Sequence, residues 1–162
     1  MNKQDIYALL ENRGVWHEIT EHGAVYNMEE LASVVLPYPE ADAKNLFVRD
    51  DKKRAYYLIT VTGDVRVDLK EFAAKYGTRK LSFASADDLM AMLGLIPGAV
   101  TPLGLLNDEE RKVTFYIDSS FCGEGGIIGV HPNDNTATVW LKTDDLVAII
   151  GEHGSEINYL DL

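Results

Sequence analysis

Three short stretches of the sequence contain residues that could take part in catalysis. His17 and His22 in HEITEH are five residues apart, which is about 140° around a helix and one residue too many for the zinc-binding HExxH pattern. Ile19 and Thr20 favour a strand there in any case. Cys122 in SSFCGEGG is the only cysteine, and a lone cysteine is more often a small buried apolar residue than a nucleophile. The GEGG run has no expected helix after it, so it predicts a tight turn rather than a phosphate-binding loop.

A fourth stretch, PGAVTPLG at 97–104, has no acid, base or reactive nucleophile in it. Its two prolines and two glycines favour a loop that holds a defined shape. An apolar helix precedes it and an apolar run follows it, so on its own it predicts a helix-to-strand connection. Neither a GxSxG elbow nor a P-loop is present elsewhere in the sequence.

The charge is distributed unevenly along the chain. The formal net charge is −11, which by itself argues against a nucleic-acid partner. Residues 44–80, however, contain ten of the fifteen basic residues and five acids, a net of +5, whereas the rest of the chain has five basic and 21 acidic residues, a net of −16. The basic residues are Lys44, Arg49, Lys52, Lys53, Arg54, Arg66, Lys70, Lys75, Arg79 and Lys80. This segment predicts either a solvated surface or a face that attracts phosphates.

The elements that must position these stretches are short helices and strands. Helices are predicted over 4–13, 27–35, 69–76, 86–93 and 144–151, with caps at Asn27, Asp68, Ser85 and Thr143. Strands are predicted at WHEIT, KNLFVRD, AYYLITVT, TPLGLL, KVTFYID, IIGVH and TATVWLK. The charged turn DKKR joins the second and third of these in a hairpin.

This mixture has no regular strand–helix–strand rhythm. It predicts an α/β (α+β) fold with a mixed, largely antiparallel β-sheet core surrounded by short helices. No repeat or linker interrupts residues 1–162, so we expect a single domain. No apolar run approaches the roughly 18 residues of a membrane span, and no signal peptide is evident. One cysteine without a disulfide partner favours a cytoplasmic location.

Three motifs give the chain a resemblance to a known family. KNLFVRD (44–50), GAVTP with its continuation LGLL (98–106) and HPNDNTATV (131–139) occur in the order and at the spacing of the YbaK/ProX family of aminoacyl-tRNA deacylases. The chain resembles the ProX branch, whose free-standing domains are similar to the editing domain of bacterial prolyl-tRNA synthetase. The resemblance covers nearly the whole chain and implies hydrolysis of the ester in a mischarged tRNA, for this branch alanine on proline tRNA.

The resemblance gives the GAVTP loop a catalytic role. Ester hydrolysis requires stabilisation of the oxyanion in a tetrahedral intermediate, and backbone N–H groups can provide it without a reactive side chain. Gly98, Ala99, Val100, Thr101 and Pro102 match the family's GxxxP loop. Gly98 permits unusual backbone angles, Pro102 fixes the exit from the loop, and Thr101 could add a hydroxyl.

Lys44, Asn45 and His131 are the other site residues that the resemblance implies. The Lys44 ammonium suits a phosphate near the tRNA 3′ end or a developing negative charge. Asn45 is expected to bond the substrate's amino group or ribose, or else to cap the start of a strand. His131 is expected to orient water or substrate, or else to be a hydrogen-bonded structural residue. No carboxylate belongs to the motifs, and the resemblance implies that the 2′-hydroxyl of the terminal adenosine helps to activate the water.

Amino-acid specificity depends on the pocket walls. A synthetase pocket made for proline cannot strongly exclude alanine, because missing methylenes are worth only about 1–3 kcal/mol, so a second site that rejects proline is needed. We expect apolar walls from Val25, Tyr26 and Met28 on one side and from the GAVTP loop on the other. The stretch GAVYNMEE departs from the family's Pro-Val-x-Thr-like run, which leaves the choice of amino acid open.

The expected partner is the 3′ CCA end of a mischarged tRNA, with prolyl-tRNA synthetase as a further candidate and no membrane or DNA. No metal or cofactor is expected. Three alternatives remain: a YbaK-type Cys-tRNA(Pro) deacylase, a non-catalytic module that binds tRNA or a synthetase, and a small-molecule-binding domain. Lys44 and the complete GxxxP loop disfavour the non-catalytic module.

Overall fold

The structure, a computed structural model that describes residues 1–24 and 35–161, contains two β-sheets rather than one. The strands are β1 (His17–Glu21), β2 (Ala43–Asp50), β3 (Tyr56–Thr62), β4 (Leu81–Phe83), β5 (Val113–Asp118), β6 (Ile127–Val130), β7 (Ala137–Lys142) and β8 (Ile157–Leu160). The α-helices are α1 (Lys3–Arg13), α2 (Leu69–Tyr76), α3 (Ala86–Leu93) and α4 (Thr143–His153). Short 3₁₀ helices cover Pro39–Ala41, Pro102–Asn107 and Ser119–Phe121.

The larger sheet has five strands in the order β4-β2-β3-β5-β8. Strand β2 is antiparallel to β3 and β4, whereas β5 is parallel to β3 and β8. The smaller sheet, in the order β1-β7-β6, is antiparallel throughout. The predicted fold class, a mixed and largely antiparallel core with short helices, is therefore confirmed.

The two faces of the five-stranded sheet support different packing. Helix α2 covers one face, where Phe72 packs with Val48, Ile59 and Val61. The opposite face, the inner face below, contributes Phe47 and other residues to a larger core shared with α1, α3, α4 and the small sheet. This sandwich holds the start of β2 against the small sheet.

The predicted helix caps explain where two of the helices begin and end. The Asp68 carboxylate accepts hydrogen bonds from the N–H groups of Lys70 and Glu71 at the start of α2, and the Ser85 hydroxyl accepts one at the start of α3. Gly94 ends α3 in the left-handed region at φ 66°, which a glycine adopts without a Cβ clash. These ends fix the entry to the GAVTP loop.

The structure corrects the sequence prediction at several positions. TPLGLL is wrong as a strand: Pro102 starts a 3₁₀ helix, because its fixed φ suits a first helical position and the Thr101 hydroxyl caps the turn. Thr143 is the first residue of α4 rather than its cap. The short strands β4 and β8 were not predicted, and the predicted helix over 27–35 lies almost wholly outside the described residues. No helix in the described part of the chain is long and apolar enough to cross a membrane.

Candidate active site

The three sequence motifs meet where the two sheets adjoin. An isolated parallel bridge joins Asp42, just before β2, to Gly129 in β6. Lys44 lies two residues after Asp42, and His131 lies two residues after Gly129. Because the bridge is parallel, the two segments run side by side in the same direction. The Thr101 hydroxyl donates a hydrogen bond of 2.7 Å to the carbonyl of His131, which joins the GAVTP loop to the same place.

The GAVTP loop and the segments on either side of it are held by several contacts. The Asn107 side chain donates to the carbonyl of Leu93 at 2.8 Å, which ties the end of the following 3₁₀ helix to α3. Gly104 packs so closely on Leu95 that an added Cβ would lie 2.5 Å from the leucine Cδ1. Ala99 is buried in the middle of the loop. Because of these contacts, the loop has a fixed backbone.

Several backbone N–H groups of this loop have no hydrogen-bond partner in the part of the chain that the structure describes. Gly98 has φ 90°, in the region that favours glycine. The Ala99 N–H donates to the carbonyl of Ile96 at 3.1 Å. No residue within 1–24 and 35–161 accepts a hydrogen bond from the N–H of Gly98, Val100 or Thr101. Thr101 is buried, whereas Gly98 and Val100 are partly exposed, so these three donors are candidates for binding a ligand oxygen.

The hydroxyl of Thr101 has a structural task. The residue is fully buried, and its oxygen accepts a hydrogen bond from the N–H of Leu103 while its hydrogen bonds the carbonyl of His131. The expected extra hydroxyl is therefore committed to fixing the loop against the histidine segment. Pro102, also buried, continues from it into the 3₁₀ helix.

His131 is oriented and kept uncharged by its surroundings. Its Nδ1 lies 2.8 Å from the carbonyl of Ala137, and because a carbonyl only accepts, Nδ1 carries the proton. Burial lowers the pKa of His131, and His22 lowers it further, against opposing effects of the Ala137 carbonyl and Asp134. The neutral ring keeps the lone pair of Nε2 as an acceptor.

Lys44 and Asn45 point to opposite faces of the five-stranded sheet, as neighbours in a strand must. The side-chain Oδ1 of Asn45 accepts a hydrogen bond of 2.6 Å from the Thr60 hydroxyl on the inner face, and Val100 of the GAVTP loop packs against the core on that face. The Lys44 ammonium donates to the carbonyl of Val65 at 3.2 Å, on the face of α2. Asn45 thus shares a face with the loop, whereas the Lys44 ammonium lies on the opposite face.

Sequence reasoning missed His22. Its ring lies 6.1 Å from that of His131, centre to centre. In the sequence, His22 stands out only as part of the imperfect zinc-like pattern HEITEH. No local pattern links residue 22 to a histidine 109 positions later in the chain.

The remaining sequence candidates do not enter the site. Burial raises the pKa of the Cys122 thiol, which makes it a poor nucleophile. Among the residues that the structure describes, no three His, Cys, Asp or Glu side chains form a cluster that could hold a metal ion. Val25, Tyr26 and Met28, predicted to line the amino-acid pocket, lie outside the described residues.

A fixed loop of backbone donors beside a histidine can stabilise an oxyanion. Comparison with known proteins defines the class of protein. The family model of the aminoacyl-tRNA editing domain matches residues 22–149, so the chain belongs to that family. The predicted class of enzyme, an aminoacyl-tRNA deacylase, is confirmed.

Two relatives agree with the predicted branch, and a solved structure agrees with the predicted fold. The chain is 39% identical over 160 residues to the prolyl-tRNA editing protein ProX of Acetoanaerobium sticklandii, covering 99% of this chain and 97% of that protein. It is 33% identical over 160 residues to the prolyl-tRNA synthetase associated domain-containing protein 1 of Bos taurus, covering 94% and 92%. A crystal structure of a proposed trans-editing enzyme for prolyl-tRNA synthetase superposes with a TM-score of 0.72 at 22% identity, covering 99% and 96%. The last of these supports the fold.

Proposed function

We propose that residues 1–162 form one cytoplasmic editing domain that hydrolyses the ester between alanine and proline tRNA in trans. The observation that carries this proposal is the GAVTP loop, whose N–H groups at Gly98, Val100 and Thr101 have no partner among the described residues while its position is fixed against His131. Such a loop can bind an oxyanion more strongly than the planar ester carbonyl. Each well-aimed donor lowers a barrier of this kind by about 3 kcal/mol.

In the proposed reaction, a water oxygen adds to the ester carbonyl carbon, and the carbonyl oxygen becomes the oxyanion bound by the loop. The proton of the water passes to Nε2 of His131, directly or through the 2′-hydroxyl of the terminal adenosine. The bond from the carbonyl carbon to the ribose 3′ oxygen then breaks, and that oxygen takes the proton. The products are free alanine and a tRNA with a 3′-hydroxyl, and no other reactant is needed.

Lys44 and Asn45 are proposed to hold the substrate around this centre. The Lys44 ammonium has three donors, one of which contacts Val65, so two remain for a phosphate at the tRNA 3′ end. The Asn45 amide group accepts from Thr60 through its oxygen, which leaves its NH₂ group to donate to the ribose or to the ester.

The basic segment provides a surface for the tRNA backbone. Seven of its side chains are exposed and have no carboxylate within ion-pair distance among the described residues. They are Lys52, Lys53, Arg54, Arg66, Lys70, Lys75 and Lys80. Arg66 directly follows Val65, the residue that Lys44 contacts, so we propose that this surface includes Lys44. Binding through it should weaken as salt increases.

The choice of alanine and of proline tRNA rests on the relatives and on energetics. ProX is named a prolyl-tRNA editing protein, and alanine is the kind of smaller residue that a proline pocket admits. The acidic remainder of the chain, at −16, leaves a contact with prolyl-tRNA synthetase open as part of the same proposal.

The decisive experiment is a deacylation panel with Ala-, Cys- and Pro-tRNA(Pro) and the purified protein. We expect release of alanine much faster than release of proline, in the absence of any synthetase. Release of cysteine alone would transfer the assignment to the YbaK type. No release from any of the three, with retained tRNA binding, would replace the enzyme with a binding module.

A further inference from the structure

The imidazole rings of His22 and His131 are in contact, but only His131 has a role in the proposed reaction. His22 directly follows β1, and its backbone N–H donates to the carbonyl of Thr136 at 2.9 Å. Its ring meets that of His131 edge to face, with centres 6.1 Å apart and planes at 63°. The register of the small sheet therefore brings the two rings together.

Hydrogen bonds fix the His22 ring as firmly as that of His131. Nδ1 of His22 lies 2.8 Å from the carbonyl of Gly23, so it carries the proton in the neutral ring. Nε2 lies 3.0 Å from the Thr138 hydroxyl and accepts from it. Both nitrogens are thus occupied, whereas Nε2 of His131 has no partner among the described residues.

We propose that His22 is a positioning residue for the hydrolysis: it supports the His131 ring and opposes its protonation, so that Nε2 stays available to accept a proton. The inference rests on the proposed function, in which His131 faces the reacting water. The contact between the rings makes His22 one of the groups that lower the pKa of His131, after burial, which has the largest effect.

Few charged groups counteract this effect. Asp134, in the turn between β6 and β7, favours the protonated form of His131. Its carboxylate is itself engaged by the N–H and hydroxyl of Thr136 and is attracted by Lys3. The two hydrogen-bond partners of the His22 ring among the described residues are neutral: the Gly23 carbonyl and the Thr138 hydroxyl. Removal of His22 should therefore raise the pKa of His131.

The test compares His22→Gln with His17→Gln. Glutamine keeps a polar group near Thr138 but cannot carry a charge. His17 is the matched control, because it lies on β1, the strand that His22 follows, and has its own carbonyl contact, Nδ1 to Val15 at 2.9 Å. Each variant is first checked for native circular dichroism. The titration of His131 is then followed by imidazole ¹⁵N NMR without substrate, and kcat/KM for Ala-tRNA(Pro) is measured against pH.

In His22→Gln we expect the NMR midpoint of His131 and the acid limb of kcat/KM to move upward together. The expected cause is the loss of the effect by which His22 lowers the pKa of His131. His17→Gln should shift neither. The inference is overturned if folded His22→Gln leaves either the midpoint or the acid limb in place. Failure of the proposed function would look different, because the wild-type protein would then release no amino acid at any pH.

Discussion

The carboxyl group of Asp42 gives the sharpest test of the energetics at the junction of the two sheets. It is only 7% exposed, and burial raises its pKa from 3.8 to about 7. A folded-state pKa above the unfolded value means that the folded protein holds a proton that the unfolded chain has lost between these two pH values. Stability should therefore fall as pH rises through this window and level off above it.

The change Asp42→Asn removes this titration while keeping the side-chain shape. In the wild-type protein, the buried carboxyl lowers the free energy of unfolding by about 2 kcal/mol at pH 5.5, where it is ionised only in the unfolded chain. At pH 8 it lowers the free energy of unfolding by about 4 kcal/mol. The stability of Asp42→Asn relative to wild type should therefore increase by about 2 kcal/mol between pH 5.5 and pH 8. Both values lie above the isoelectric point of about 4.7.

Urea unfolding followed by circular dichroism at these two pH values measures the difference. Asp50→Asn is the control, because hydrogen bonds from the N–H groups of Arg54 and Lys52 lower the pKa of Asp50. Its stabilising effect is complete above pH 3.8 and is lost only as pH falls below that value, so this variant should be less stable than wild type by a similar amount at both pH values. A stability difference for Asp42→Asn that does not depend on pH would refute the reasoning.

Three further substitutions test the loop, the lysine and the sheet junction. Gly98→Ala should lower kcat at least about tenfold, because a φ of 90° strains a residue with a Cβ by about 1–3 kcal/mol and shifts the N–H donors of the loop. An unchanged single-turnover rate would show that the loop has no part in the mechanism. Lys44→Ala should reduce turnover about tenfold or more with native circular dichroism, and wild-type turnover would end its proposed role. Gly129→Ala should lower the free energy of unfolding by about 1–3 kcal/mol, because its Cβ would lie 2.2 Å from the Trp140 ring. Gly23→Ala, with open space around it, is the control in the urea titration, and equal stabilities would contradict the packing argument.

Much of the local structure followed from the sequence. The hairpin of β2 and β3, the Asp68 and Ser85 caps and the glycine after α3 were predicted correctly, because they depend on contacts within a few residues. The prediction was wrong at TPLGLL, where a strand-like apolar pattern hid a 3₁₀ turn. Proline and a capping hydroxyl decided that conformation.

The candidate site was predicted in its motifs but not in its orientation. Adjacent residues 44 and 45 suggested one functional unit, yet strand alternation directs Lys44 to the face of α2 and Asn45 to the inner face. The sequence does not show which of Lys44 and Asn45 faces the loop. That depends on which face of the five-stranded sheet packs against α2 and which packs against the larger core, and the tertiary packing decides this.

The sequence by itself determined the family, the reaction class and the residues of the GAVTP loop, because short motifs and their order along the chain indicate these and can be identified in the sequence alone. The tertiary structure decided which distant residues are in contact. The ring of His22 against His131, the Thr101 hydroxyl on the His131 carbonyl and the buried carboxyl of Asp42 each depend on segments far apart in the chain. Their meeting is fixed by strand register and sheet packing, which long-range pairing sets and local propensity does not.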